Sequence, residues 1–121
     1  MKEKILVIDD EEIIRKFIQR ALTREDYLVE TIGDSRTALE VVSREIFDVI
    51  LVDLKMPEIN GMTIVKKIKE SNYKTGIIII SGVISYEAEK ETSKLGIENS
   101  LIKPFTIDKL LNTVKKCLEN R

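Results

Sequence analysis

The sequence predicts an α/β fold: a doubly wound parallel sheet of five strands with helices on both faces, in three layers. Three observations predict it. Short runs rich in Ile and Val recur five times, segments of helical period lie between them, and the runs are continuously apolar rather than alternating. A strand covered on one face alternates apolar and polar residues, whereas a strand covered on both faces has no reason to. The repeated strand–helix order then requires right-handed crossovers, which sort the helices onto the two faces.

The first run is Ile5-Leu6-Val7-Ile8, and Ile13, Ile14, Phe17, Ile18, Ala21 and Leu22 form the apolar stripe of the helix after it. Leu28-Val29 is the second strand. Ala38, Leu39 and Val42 stripe the second helix, with Ser35 in the N-cap position. The third run is Val49-Ile50-Leu51-Val52, Asn60-Gly61 is a turn signal that closes the loop after it, and Met62, Val65 and Ile68 stripe the next helix. Ile77-Ile78-Ile79-Ile80 is the fourth strand. The weakly apolar segment from Ser85 to Leu95 is read as a helix ended by Gly96, where a left-handed residue belongs. Leu101-Ile102 is the fifth strand, and Thr106 caps a last helix striped by Ile107, Leu110, Leu111, Val114, Cys117 and Leu118.

With 121 residues and neither repeat nor linker, the chain is read as a single domain over 1–121. Its 20 basic against 21 acidic side chains argue against binding nucleic acid or an anionic membrane by bulk charge. The absence of histidine removes Ser-His-Asp and Cys-His catalysis and His-containing zinc sites. With a single cysteine as well, a metal site must be built from oxygen, which favours Mg²⁺. The apolar runs are too short to span a membrane, and the opening MKEKILVIDDEE is not a signal peptide, so a cytoplasmic location is expected. Cys117 lies on the apolar stripe and reads as packing, and Lys66, Lys67, Lys69, Lys115 and Lys116 read as solvated helix faces.

The chemistry sits where the strands end. The first run ends in Asp9-Asp10-Glu11-Glu12, the third in Asp53, the fourth in Ser81-Gly82 and the fifth in Lys103-Pro104. A parallel sheet brings all of these to one edge, where doubly wound folds keep their sites. Singly, each has a bland reading: acidic residues suit a helix start, an Asp after a strand forms turns, and a loop lysine needs no role. Jointly, they are a site. Clustered carboxylates repel and call for a cation; Mg²⁺ suits two carboxylates plus a backbone carbonyl and lets a phosphoryl group approach. A carboxylate can then carry that group as a mixed anhydride, with the lysine and hydroxyl holding its remaining oxygens.

The motifs ILVIDDEE, VILVDLKMPEINGM, IIIISG and LIKPF, in this order and spacing, resemble the receiver domain of two-component response regulators, the family of the single-domain chemotaxis regulators. The resemblance covers essentially the whole chain and implies a flavodoxin-like sheet of strand order 2-1-3-4-5. It implies that Asp53 accepts a phosphoryl group from a sensor histidine kinase or histidine phosphotransfer protein. Asp9, Asp10 and Asp53, with the Lys55 backbone carbonyl, would hold Mg²⁺. Lys103 would contact the phosphoryl group, Ser81 would be the switch hydroxyl, and Pro104 would follow a cis peptide. The output surface would lie around Ser85–Leu118. The protein would be a signalling switch, not an enzyme: it would catalyse only its own phosphotransfer and dephosphorylation, and would bind no nucleic acid or membrane directly. One position departs from the family: Ser100 stands where a switch aromatic is usual. That keeps open a receiver-like interaction module that acts without phosphorylation. A haloacid-dehalogenase-type hydrolase is disfavoured because Lys55 stands where a second Asp belongs, and a nucleotide or flavin binder because the first turn is acidic.

Overall fold

The computed structural model describes residues 2–72 and 74–121. Strands and helices alternate as β1 (Lys4–Ile8), α1 (Glu12–Arg24), β2 (Leu28–Ile32), α2 (Ser35–Arg44), β3 (Val49–Asp53), α3 (Gly61–Ser71), β4 (Gly76–Ser81), α4 (Tyr86–Lys94), β5 (Asn99–Ile102) and α5 (Ile107–Asn120). All strand pairs are parallel, in the order β2-β1-β3-β4-β5. This is the flavodoxin-like order that the family resemblance implies.

Because successive side chains of a strand point to opposite faces, each central strand feeds two cores. Leu6, Ile8, Ile50, Val52, Ile77 and Ile79 pack against Ala38 and Val42 of α2 and against Ile64, Val65 and Ile68 of α3. On the other face Ile5, Val7, Leu51, Ile78, Ile80 and Leu101 meet Ile18 and Leu22 of α1 and Leu110, Val114 and Cys117 of α5. Each Val, Leu or Ile among them contributes about 1.5–3 kcal/mol by leaving water. Cys117 is buried in this second layer, and burial pushes its thiol pKa up. No helix among the described residues is long and apolar enough to cross a membrane.

Both faces are covered only in β1, β3 and β4. The edge strands β2 and β5 alternate in burial, so Leu28 and Ile102, read as strand core, stand 50% and 59% exposed. Ile13 and Ile107 also leave their stripes: each lies in the first turns of its helix, at the rim of the sheet, and they are 81% and 43% exposed. The α2 cap is Asp34, not Ser35. The Asp34 carboxylate accepts from the amides of Arg36 and Thr37, and Ser35 becomes the first helical residue, with a buried side chain. Asn60 likewise caps α3 by accepting from the Met62 amide, so the Asn60-Gly61 turn is also the helix start. Thr106 caps α5 through the Lys109 amide, and Gly96 has φ +76° after α4, both as read from the sequence.

Candidate functional site: carboxylates around one lysine

Asp9 follows β1 and is fully buried. Its Oδ1 accepts from the Glu11 amide at 2.8 Å, and Arg15 of α1 donates to its carbonyl at 2.8 Å, so the start of α1 fixes it from both sides. Asp53 ends β3 with 3% exposure, accepting from the Lys55 amide at 3.1 Å. Lys103 arrives from the end of β5, its amide bonded to the Ser81 carbonyl at 2.9 Å, and the Lys103-Pro104 peptide is cis. The Lys103 ammonium lies 2.8 Å from Glu11, 2.9 Å from Asp9 and 3.3 Å from Asp53. Exposed Asp10 completes a group of four acidic residues, with Asp9, Glu11 and Asp53, whose oxygens come within 4.8 Å of one another.

Three carboxylates paired with one ammonium, and a fourth, Asp10, beside them, leave an excess of negative charge. Burial, reinforced by the neighbouring Asp9, pushes the Asp53 carboxyl up to about 6, against the Lys55 amide and Lys103, which both favour its ionised form. Burial opposes the charge on Lys103, but its hydrogen bond to Glu11 and the pull of Asp9 and Asp53 hold its pKa above the ordinary lysine value. Asp9 Oδ2 is buried, and among the described residues its one partner is the Lys103 ammonium at 2.9 Å, which it shares with Glu11 and Asp53. A buried carboxylate oxygen that only a shared ammonium serves, in an all-oxygen cluster, fits a hard divalent cation such as Mg²⁺, held by the acidic side chains.

The other expected residues are less converged. Ser81 is buried at the end of β4, but its hydroxyl donates to the Val83 carbonyl at 2.8 Å rather than toward Asp53. Ser100 is exposed on β5 and lines, with Val83, Ile84, Thr92 and Ile97, a cleft of about 750 Å³ beside α4, away from the carboxylates. Glu12 turns outward to pair with Lys16. The Glu11–Lys103 pair was not anticipated; the run of four acids contains the signal, but only the fold shows which of them faces the lysine.

Gly61 ties the acceptor backbone to α3. A Cβ there would lie 2.4 Å from the Asp53 carbonyl oxygen and 2.6 Å from Leu54 Cα, both backbone atoms that cannot swing aside. Gly61→Ala is therefore expected to cost about 3 kcal/mol in urea unfolding. Gly82→Ala, where a Cβ meets nothing within 4 Å, is the control and should stay within about 0.5 kcal/mol of wild type. Equal midpoints for the two variants would refute the close approach at Gly61.

An acidic cluster around a buried lysine, at the carboxyl edge of a doubly wound sheet, is what these features define. The family model for the response regulator receiver domain matches residues 5–115. The chain is 32% identical over 118 residues to sporulation initiation phosphotransferase F of Bacillus subtilis, covering 98% of this chain and 95% of that one. It is 31% identical to the response regulator ArlR of Staphylococcus aureus, of whose length it spans 53%. A CheY-like response regulator receiver domain protein from Methanospirillum hungatei superposes with a TM-score of 0.93 at 25% identity, covering 98% of this chain and 95% of that one. The chain belongs to the response regulator receiver domain family. Receiver domains are signalling switches of two-component systems, phosphorylated on an aspartate, that interact with histidine kinases and output domains and are not classical enzymes.

Proposed function

We propose that residues 1–121 act as one receiver domain in which Asp53 is the phosphoacceptor, supplied by a sensor histidine kinase or histidine phosphotransfer protein in the cytoplasm. The observation that carries this reading is the burial of Asp53 between Asp9 and Lys103, with its carboxyl raised to about 6. An Asp53 oxygen attacks phosphorus, the bond from phosphorus to the donor histidine nitrogen breaks, and the mixed anhydride forms. Asp9, Asp10, Asp53 and the Lys55 carbonyl would hold Mg²⁺, which would neutralise charge on the transferring group. Lys103 shifts from Glu11 to the phosphoryl oxygens, and the Ser81 hydroxyl turns from the Val83 carbonyl toward the same group. Hydrolysis returns phosphate, and no external substrate is turned over.

Output runs through the surface around Ser85–Leu118, where Tyr86 and Ile102 are exposed. A partner protein reads that surface, without direct contact to nucleic acid or membrane. A second reading, binding without phosphorylation, is favoured by one feature: Ser100 leaves the cleft beside α4 without an aromatic among its lining residues. Partner affinity that is the same with and without the phosphoryl group would select it.

Wild-type protein incubated with a small-molecule phosphodonor should gain the mass of one phosphoryl group with Mg²⁺ and none with a chelator. A mass gain indifferent to Mg²⁺ would overturn the metal assignment. No gain in folded protein that binds Mg²⁺ and also fails to bind beryllofluoride would overturn the acceptor reading.

A further inference from the structure

We infer that Ser35 is a positioning residue for the acceptor loop, residues 54–60, which joins Asp53 to α3. The inference rests on the proposed roles of Asp53 and the Lys55 carbonyl. Ser35 opens α2 but does nothing for that helix, since Asp34 already caps it. Its side chain is nevertheless buried, with 2% exposure. Its hydroxyl donates to the Pro57 carbonyl at 2.7 Å and accepts from the Ile59 amide at 3.1 Å. One hydroxyl is thus satisfied in both directions by a loop more than twenty residues away.

The ends of the loop are anchored to the sheet and α3: the Leu54 amide donates to the Ile80 carbonyl, and the Gly61 amide to the Leu54 carbonyl. Its tip is held from outside by α2. Between the two Ser35 contacts stands Glu58, a non-glycine residue at φ +70°, and Arg36 of α2 donates to its carboxylate at 2.7 Å. A left-handed Glu costs free energy and persists where its surroundings over-determine it. The loop's own bond from the Ile59 amide to the Pro57 carbonyl, at 2.9 Å, closes the turn around Glu58, and Ser35, which bonds both of those groups, and Arg36 complete the constraint from α2. Lys55, two residues before Pro57, carries the amide that bonds Asp53 and the carbonyl assigned to the metal. Fixing the tip therefore fixes where that carbonyl points, and outer partners of a metal site orient its ligands.

The test compares wild type, Ser35→Ala and Ser35→Thr. In the metal-free proteins, amide hydrogen exchange should rise in Ser35→Ala at residues 55–59 and not in β1 or β4. Mg²⁺ titrated calorimetrically should bind Ser35→Ala about tenfold more weakly, and the phosphoryl lifetime followed by intact mass should change. Ser35→Thr, which keeps the hydroxyl, should restore both to within about twofold of wild type. Should Ser35→Ala fail to fold, exposed Arg36→Gln removes the second tie and should weaken Mg²⁺ about threefold. Loop exchange, Mg²⁺ affinity and phosphoryl lifetime all at wild-type values in the folded variant would overturn the inference, whatever its melting temperature. Failure of the underlying reading looks different: wild type itself would take no Mg²⁺ or no phosphoryl group, while the metal-free exchange comparison would still decide what Ser35 does.

Discussion

Asp53→Asn should take no phosphoryl group from a small-molecule donor and, without Mg²⁺ at pH 7, should withstand urea better than wild type. The first effect is a complete loss, because an amide cannot form the anhydride; an adduct that persists would place the acceptor elsewhere. The second follows from the cost of the charge. The Asp53 carboxyl is held up to about 6 by burial and by Asp9, so the folded state binds its proton more tightly than the unfolded chain does. Stability from that group is present below the unfolded carboxylate value and is lost as the pH rises through about 6. At pH 7 the folded protein carries the charge at a penalty that the neutral amide escapes, while the amide oxygen can still accept from Lys55 and Lys103. The expected gain is about 2 kcal/mol at pH 7, shrinking toward zero near pH 4. Urea midpoints across that range measure it, and Mg²⁺ should stabilise wild type but not the variant. A variant less stable than wild type at pH 7 would mean that Lys103 already compensates the cluster.

What the sequence discloses follows from where both faces of a strand are covered. The runs ending at Ile8, Val52 and Ile80 are continuously apolar because β1, β3 and β4 have helices on each side. At the edges the same logic overreaches, and Leu28 and Ile102 turn to solvent. The helix α4 buries only Thr92, so its period is faint, and Gly96 is the one end signal the sequence reading has; Ser85, whose hydroxyl caps the helix through the Ala88 amide, goes unread as a cap. The site is legible because a parallel register brings strand ends together regardless of their separation in sequence. Asp9, Asp53 and Lys103 needed only that rule.

Side-chain choices within the site obey no sequence period. Either Asp34 or Ser35 can cap a helix, and the carboxylate takes the task while the hydroxyl turns to Pro57. Glu11 reaches Lys103 across 92 residues. Ser81 has the residue type and place expected of a switch hydroxyl, yet its proton goes to the carbonyl two residues ahead. Such contacts depend on a rotamer, and a rotamer depends on neighbours supplied by other elements.

Lys103→Met separates the two jobs of the lysine, since methionine keeps much of the stem and loses the ammonium. The side chain is only 14% exposed, and its charge is the one cation within ion-pair distance of Asp53 among the described residues. Removing it should slow phosphorylation by a small-molecule donor by about 10²–10³-fold, the usual effect of deleting one charge-stabilising donor. Without Mg²⁺ at pH 7 it should also cost about 2–3 kcal/mol, at the low end for a broken buried pair because Glu11 is largely exposed. Lys103 favours the ionised form of Asp53, so its removal raises that carboxyl further and leaves the folded state holding the proton more tightly. The deficit should therefore shrink as the pH falls toward 5, and added Mg²⁺ should shrink it at constant pH. Placing Asp53→Asn in the Lys103→Met background should recover more stability than the same change gains in wild type, and that excess measures the coupling between the two residues. A deficit that stays the same from pH 7 to pH 5 would assign the loss to packing of the lysine stem; the slower phosphorylation alone would then report the charge.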